Sequence, residues 1–327
     1  MESNIMVSVY CLTYNHEKYI KDALEGFIMQ QTDFKYEVFV HDDSSTDRTP
    51  EIIREYAQKY PDIIKPILQT ENQYSKGIRI PATYIFPRMQ GKYIAACEGD
   101  DYWCSPNKLQ KQVDFLESHP KYSACAHNTR FVNCVTGGET LLSVYENERT
   151  LKAEDVIRYR NNAFHFSSLM YRNQYKVLPE AFIMKSYGDI PRAIYLAVVG
   201  DIYYFNDVMS VYRFLSGQES WTYKNCIAKD YMQTTYNSLL DAKRMMKRID
   251  RYTNGKYHKV ICEEIRKIEF EMLNAQGKYK TAYMEYKDII GNLSSKEQIK
   301  CMIKAYIPFI IPLYRNIKQF MYKGRSS

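Results

Sequence analysis

Three carboxylates, Glu98, Asp100 and Asp101, lie within four residues, directly after the apolar run Tyr93–Cys97 and ahead of Trp103. Adjacent carboxylates repel, so each tends to hold a proton unless a cation sits between them. Hard divalent cations such as Mg²⁺ or Mn²⁺ take oxygen ligands, commonly one or two carboxylates plus substrate phosphates. A second acidic cluster, His41-Asp42-Asp43-Ser44-Ser45-Thr46-Asp47, ends another apolar run, Tyr36–His41. It could bind a metal, or hydrogen-bond a nucleobase and ribose. Asp47 is better suited to capping the helix that Thr49-Pro50 opens, with Thr49 as the expected N-cap. A third candidate is Asp189 in Tyr187-Gly188-Asp189-Ile190-Pro191. An ionised carboxylate there could take the proton of an attacking hydroxyl, or could cap the helix that Ile190-Pro191-Arg192 begins.

The elements that must position these groups follow from hydrophobic periodicity. Ile5–Cys11 alternates and is β-branched, which predicts a strand broken by Tyr14-Asn15-His16. Ile20, Ala23, Leu24, Phe27 and Ile28 recur at helical spacing over about 17–31. Tyr36–His41, Ile63–Leu68 and Tyr93–Cys97 predict three more strands, with a helix or loop over about 80–89 and helices from Thr49 and Pro106. This alternation argues for a mostly parallel sheet with flanking helices. Ligands of such sheets bind beyond the carboxyl ends of the strands, where both acidic clusters fall. Further on, Tyr122–Asn133, Phe164–Tyr171 and Asp201–Phe214 are strand-like, and the chain after Trp221 reads as helical.

The chain has 327 residues, of which 45% are apolar, enough for one large domain or two ordinary ones. Its eight cysteines include no C-x-x-C pair, so neither a disulfide framework nor a zinc site is expected, and a reducing, cytosolic setting is. Met1-Glu2-Ser3-Asn4 lacks the plan of a signal peptide. Residues 1–221 hold 24 Lys and Arg against 28 Asp and Glu, whereas residues 222–327 hold 21 against 10. That asymmetry divides the chain near residue 222 and suits the basic part to an anionic partner. Anionic lipid is the expected partner, and nucleic acid is not. The run Ala305–Tyr314, flanked by lysines and arginines, is too short to cross a membrane and fits a segment lying on its surface. His127 and His165 sit among apolar residues. They could line an acceptor site, although a satisfied core histidine is the more common outcome.

Three stretches taken together resemble the signature of family 2 glycosyltransferases of the GT-A fold: Ser8-Val9-Tyr10-Cys11-Leu12-Thr13-Tyr14-Asn15, then Val40-His41-Asp42-Asp43-Ser44-Ser45-Thr46-Asp47-Arg48-Thr49, then Glu98-Gly99-Asp100-Asp101-Tyr102-Trp103. Order and spacing match over about residues 5–215. The resemblance implies a nucleotide-sugar donor, an inverting transfer and a Mn²⁺ or Mg²⁺ cofactor. It implies that Leu12, Tyr14, Asp43 and Asp100 bind the donor nucleotide, Tyr14 by stacking near the base and Asp43 by hydrogen-bonding it. Asp100 and Asp101 match the metal-binding aspartates, and Glu98 stands where the family's D-x-D motif begins with Asp. Asp189 matches the general base. Tyr212-Arg213 and Trp221 match a later motif, with Phe214-Leu215 where a histidine is usual.

The expected organisation is a GT-A domain over 1–221, its donor-binding half about 1–120 and its acceptor half about 121–221, followed by a basic helical region over 222–327. The expected activity is transfer of a sugar, UDP-linked by preference, to a glycan or lipid-linked acceptor in cell-surface polysaccharide synthesis, at the inner face of a membrane. Self-association is compatible with this. Two other classes stay open. Asp42-x-Ser44-x-Thr46 resembles the ion site of a metal-dependent adhesion module, which would leave Glu98–Trp103 and Asp189 unexplained. A sugar-nucleotide nucleotidyltransferase would share the fold logic, but Leu12–Tyr19 lacks the glycine-rich loop it needs.

Overall fold

The structure, a computed structural model, describes residues 5–159, 163–185, 188–217, 220, 223 and 230–309. It divides into two compact units: Met1–Pro179 with Asp189–Ser216, and Glu180–Gly188 with Gly217–Ser327.

The first unit is built on one ten-stranded sheet. Its strands are β1 (Ile5–Thr13), β2 (Lys35–Asp42), β3 (Ile64–Leu68), β4 (Tyr93–Ala96), β5 (Tyr102–Trp103), β6 (Tyr122–Asn133), β7 (Glu139–Leu141), β8 (Arg149–Leu151), β9 (Met170–Arg172) and β10 (Asp201–Phe214). The order is β3-β2-β1-β4-β9-β6-β10-β5, with β7 on β6 and β8 on β10. Strands β3, β2, β1 and β4 are parallel neighbours, as are β6 and β10. The antiparallel β9 joins these two groups, so all six long strands point the same way. The sheet is therefore mostly parallel, as the periodicity predicts.

Helices α1 (Ile20–Ile28), α2 (Thr49–Lys59), α3 (Lys108–Ser118), α4 (Ala153–Tyr159) and α5 (Asp189–Val199) flank the sheet. The main core joins Val7, Val9, Val38 and Val40 of the strands to Leu24 and Phe27 of α1, Ile53 of α2 and Leu109 and Leu116 of α3. Trp103 seals the α1 side. Its ring meets Phe27 edge-on at 5.0 Å and its indole N–H donates to the Ser167 carbonyl at 2.9 Å. A side chain at Gly26 would strike the Trp103 backbone, its Cβ lying 2.8 Å from the carbonyl oxygen.

Two local expectations are corrected, and a third is made specific. Thr49 is the first helical residue and not the N-cap, which is Arg48. The cap hydrogen bond comes from Asp47, whose Oδ1 accepts the Thr49 amide at 3.0 Å. The stretch read as strand over Phe164–Tyr171 is a 3₁₀ turn at Phe166–Ser168 followed by the short β9. The helix or loop near residue 80 is a π-turn at Pro81–Ile85.

The second unit is helical: α6 (Tyr231–Tyr252), α7 (His258–Ala275), α8 (Tyr279–Glu285), α9 (Lys287–Gly291) and α10 (Ser295–Tyr306). Val260, Ile261 and Ile268 of α7 and Leu239, Met245 and Ile249 of α6 are buried. The loop at 180–185 belongs here: Phe182 packs edge-on against Tyr252, and Lys185 N donates to Asp241. Among the described residues no helix is long and apolar enough to cross a membrane.

Candidate active site

The carboxyl ends of β1, β2 and β4 lie side by side because their ladders are in register: Thr13 faces Asp42, and Tyr10 faces Ala96. The pairing continues past the strands. Asp43 N donates to the Thr13 carbonyl at 3.0 Å, Cys97 N to Tyr10 at 3.1 Å, and Gly99 N to Leu12 at 2.9 Å. The acidic turn is thus pinned directly onto the end of β1. Glycine is required at 99, because a Cβ there would lie 2.9 Å from Thr13 Cβ and from His16 Nδ1.

The turns after β1 and β2 are laced together. Asn15, at φ 56°, sends its amide to Ser45 Oγ at 2.8 Å and accepts the Thr46 amide on Oδ1 at 2.8 Å. His16 N donates to Thr49 Oγ1, Glu17 N to Asp47, and Arg48 N to Glu17. Asp42 takes both the amide and the hydroxyl of Ser45. The polar atoms of the second acidic cluster are therefore largely consumed in holding the two turns.

The first cluster is arranged differently. Among the described residues, Glu98, Asp100 and Asp101 form a group whose ligand atoms all lie within 4.8 Å of one another. Asp101 is fully buried. Its Oδ1 accepts the Arg213 amide at 2.8 Å, while its Oδ2 is buried without a hydrogen-bond partner. Burial, then the charges of Asp100 and Glu98, push the Asp101 carboxyl well above the usual range. Part of Glu98 reaches solvent, yet lost hydration, then Asp100 and Asp189, push its carboxyl up to about 8. An unpartnered buried oxygen inside a group of three acids is a poor arrangement for bare carboxylates. It fits a hard divalent cation, which all three residues could ligate with oxygen.

Neighbouring side chains hold these groups. The Arg213 guanidinium donates to the Asp100 carbonyl at 3.0 Å, pairs with Asp22 and lies 4.5 Å from the Tyr102 ring centre and 5.0 Å from that of Tyr19. Ser216 Oγ donates to Asp100 Oδ2 at 2.6 Å. His165 Nδ1 lies 3.9 Å from Asp101 Oδ2, and the ring stacks on Tyr212 at 4.2 Å. That nitrogen accepts the Ser167 amide, which makes Nε2 the proton-bearing atom. Burial lowers the imidazole to about 4, so it is neutral near pH 7. The Tyr212 phenol is raised by burial and then by the charges of Asp101, Glu98, Asp100 and Asp189, which places it among all four acids. His16 Nε2 lies 3.9 Å from Asp100.

Asp189 opens α5, which leads into β10, so it stands at the same carboxyl edge. Burial raises its carboxyl, and the amides of Ile190 and of Asp189 itself oppose this. It therefore interacts with the start of its own helix and is close enough to Glu98 to shift it.

The sheet edge brings Glu98, Asp100, Asp101, Asp189 and Arg213 together. Leu12 lies near the end of the adjoining strand and Tyr14 just beyond it, both partly exposed. Asp43 is buried and anchors the next loop, its carboxylate accepting the Gln73 amide at 2.8 Å and the Tyr74 amide at 3.0 Å. His127 is not part of the cluster. It is fully buried in β6, with Nδ1 on the Asn128 carbonyl at 2.7 Å. Trp221 lies outside the described residues. Sequence reasoning missed His16, Asp22 and Ser216 as partners, and gave Tyr212 no role of its own. The only local signal was that His16 sits in the turn that breaks β1.

A mostly parallel sheet whose carboxyl edge carries this acidic turn, followed by helices, defines a GT-A glycosyltransferase architecture. The chain belongs to glycosyl transferase family 2, whose profile matches residues 8–176. An uncharacterized protein of Mycobacterium tuberculosis is 36% identical over 216 residues, covering 63% of this chain and 58% of that protein. The Escherichia coli UDP-Glc:alpha-D-GlcNAc-diphosphoundecaprenol beta-1,3-glucosyltransferase WfaP is 31% identical over 113 residues, 35% of this chain and 42% of that enzyme. The chain thus spans about half the length of these curated relatives. The fold is similar to S. aureus TarS 1-349 in complex with UDP, with a TM-score of 0.55 and 18% identity, covering 92% of this chain and 79% of that one.

Proposed function

We propose that this enzyme moves one sugar, with inversion, from a UDP-sugar to a hydroxyl of a glycan or lipid-linked acceptor in cell-surface polysaccharide synthesis. One observation carries the reading: the buried, unpartnered Oδ2 of Asp101 beside Glu98 and Asp100, at the strand ends where Asp189 also stands. The UDP preference and the lipid-linked acceptor are supported by the name of WfaP.

Asp100 and Asp101, with Glu98 beside them, would hold a Mn²⁺ or Mg²⁺ ion, which when bound neutralises charge on the leaving diphosphate. Tyr14 offers a ring for the nucleobase. Asp43 keeps a second lone pair on each carboxylate oxygen after accepting the Gln73 and Tyr74 amides, enough to accept from the base. Inversion needs a single base on the face opposite the leaving group, and Asp189 takes that part by accepting the acceptor hydroxyl's proton. Arg213 acts through others, holding Asp100 and Asp101 in place.

A thermal-shift screen with UDP-, GDP- and dTDP-sugars, each with and without Mn²⁺, tests the donor. A UDP-sugar is expected to raise the midpoint, and only with the metal. No shift with any donor would remove the reading. Release of pyrophosphate in place of nucleoside diphosphate would transfer it to nucleotidyltransferase chemistry. Metal-dependent protein binding without nucleotide affinity would favour an adhesion module.

A further inference from the structure

Helix α10 shows solvent an apolar stripe. Ile299, Met302 and Tyr306 are 53%, 45% and 57% exposed, and Phe309 just beyond the helix is 79% exposed. At 3.6 residues per turn the first three fall on one side of the helix. The adjoining side packs inward: Ala305 is buried and Gln298 Nε2 donates to the Leu293 carbonyl at 2.9 Å. The helix is firmly started, with Ser294 and Glu297 forming a capping box. Tyr306 is oriented by an edge-on contact with Tyr283 at 5.6 Å. The stripe therefore belongs to an ordered helix.

Lys296, Lys300 and Lys304 follow one another at four-residue spacing on the solvent side next to this stripe, Lys296 nearest to it and Lys304 furthest, all exposed. Among the described residues none of the three pairs with a carboxylate. Lys304 instead lies 5.9 Å from the Tyr279 ring centre.

We propose that this face of α10 docks on an anionic lipid surface. Apolar side chains with a row of lysines beside them suit the boundary between headgroups and acyl chains, and an ordinary protein surface seldom exposes such a stripe without a use. Charge selects the occupant. Residues 222–327 carry 21 basic against 10 acidic side chains, so anionic headgroups are attracted and a second copy of the same face is repelled. The sequence that follows, Ile310–Tyr314 and then Arg315, Lys318, Lys323 and Arg325, continues the same composition. The inference deepens the lipid-linked acceptor reading, on which it rests for its purpose, by naming the surface that would bring the enzyme to that acceptor.

The test is co-sedimentation of the full chain with phosphatidylcholine vesicles, with and without phosphatidylglycerol, at low and high salt. Binding is expected only with the anionic lipid, weakening as salt rises. Replacing Lys296, Lys300 and Lys304 together by Gln should lower the partition coefficient about a hundredfold at low salt. Ile299→Ser with Met302→Ser and Tyr306→Ser should lower it more than about tenfold. Circular dichroism verifies folding of both variants, and Lys59→Gln with Lys65→Gln in the first unit should leave binding unchanged. Equal binding to neutral vesicles, or wild-type partition in both α10 variants, would overturn the proposal. So would a dimer, seen by light scattering, that the apolar variant dissociates. Metal-dependent UDP-sugar binding measured on the same samples separates the two readings. If it survives while vesicle binding is absent, the docking surface fails and the transferase reading stands.

Discussion

The backbone amide of Arg213 donates to Asp101 Oδ1 at 2.8 Å, joining two residues 112 positions apart. The same arginine turns its guanidinium onto the Asp100 carbonyl and Asp22. Main chain and side chain of one residue thus hold consecutive aspartates. Arg213→Ala should keep the amide contact and lose the rest, costing about 1–3 kcal/mol of stability and weakening metal-dependent donor binding. Lys in its place should restore little, because it cannot span the Asp100 carbonyl and Asp22 as a planar fork or stack between Tyr19 and Tyr102. Denaturant midpoints and donor titrations of the two variants check this, and full rescue by Lys would refute the clamp.

Gly99→Ala separates positioning from chemistry, since it touches no carboxylate. Its Cβ would press on Thr13 Cβ, which sits on a ladder strand and has little room to yield. We expect about 1–3 kcal/mol of destabilisation. We also expect a weaker donor complex, because the Gly99–Leu12 hydrogen bond registers the turn. An unchanged melting temperature would show that the turn relaxes freely.

Asp189→Asn distinguishes the two uses of that residue. Asn Oδ1 can accept from the same amides of the first turn, so stability should change by less than about 1 kcal/mol. It cannot accept a proton, so turnover should fall by about 10²–10⁴ with donor affinity unchanged. A variant that keeps full turnover would confine Asp189 to its helix.

The pH response of the acidic cluster has a definite sign. Glu98 is raised to about 8 and Asp101 is raised as well, so the metal-free fold holds protons that the unfolded chain has released. Its stability should therefore decline as pH rises from the ordinary carboxylate range toward about 8. Ligation needs the carboxylates ionised, so Mn²⁺ affinity should rise over that window, by up to about tenfold per pH unit for each proton released. Calorimetric Mn²⁺ titrations at several pH values measure the slope, and Asp101→Asn should flatten it. A pH-independent affinity in the parent protein would argue against these carboxylates as the ligands.

Much of this site was legible because strand ends are local features. The strand-like stretches Tyr122–Asn133 and Asp201–Phe214 are strands with those bounds, and the acidic turn follows β4 closely. What was not legible depends on long-range pairing. Nothing in Met170–Arg172 announces that it will lie antiparallel between β4 and β6. Asp22 and Ser216 become partners of Arg213 and Asp100 only once β10 has crossed the sheet. The helix starting near residue 49 was misread by one position because Asp47, two residues back, supplies the cap hydrogen bond.

Lys108 shows the same limit, and gives a test in solution. Its position at the start of an amphipathic helix suggests a solvated lysine, yet it is fully buried. Its Nζ donates to Gln112 Oε1 at 2.7 Å and lies 4.0 Å from the Trp103 ring centre. Burial lowers the ammonium to about 7 from an ordinary 10.5. Between those values the unfolded chain holds a proton that the folded chain has lost, so the contribution of Lys108 to stability grows with pH across that window and is flat below it. The full rise is on the order of a few kcal/mol. Lys108→Met should abolish it. The mutation also strands Gln112 Oε1 without its donor, a cost of about 1–3 kcal/mol that does not vary with pH. The informative quantity is therefore the difference in urea midpoint between the two proteins from about pH 7 to about pH 10, which cancels the titration of shared tyrosines and cysteines. A difference that widens with pH in favour of the parent protein is expected. A constant difference would mean that Lys108 keeps its charge inside the fold.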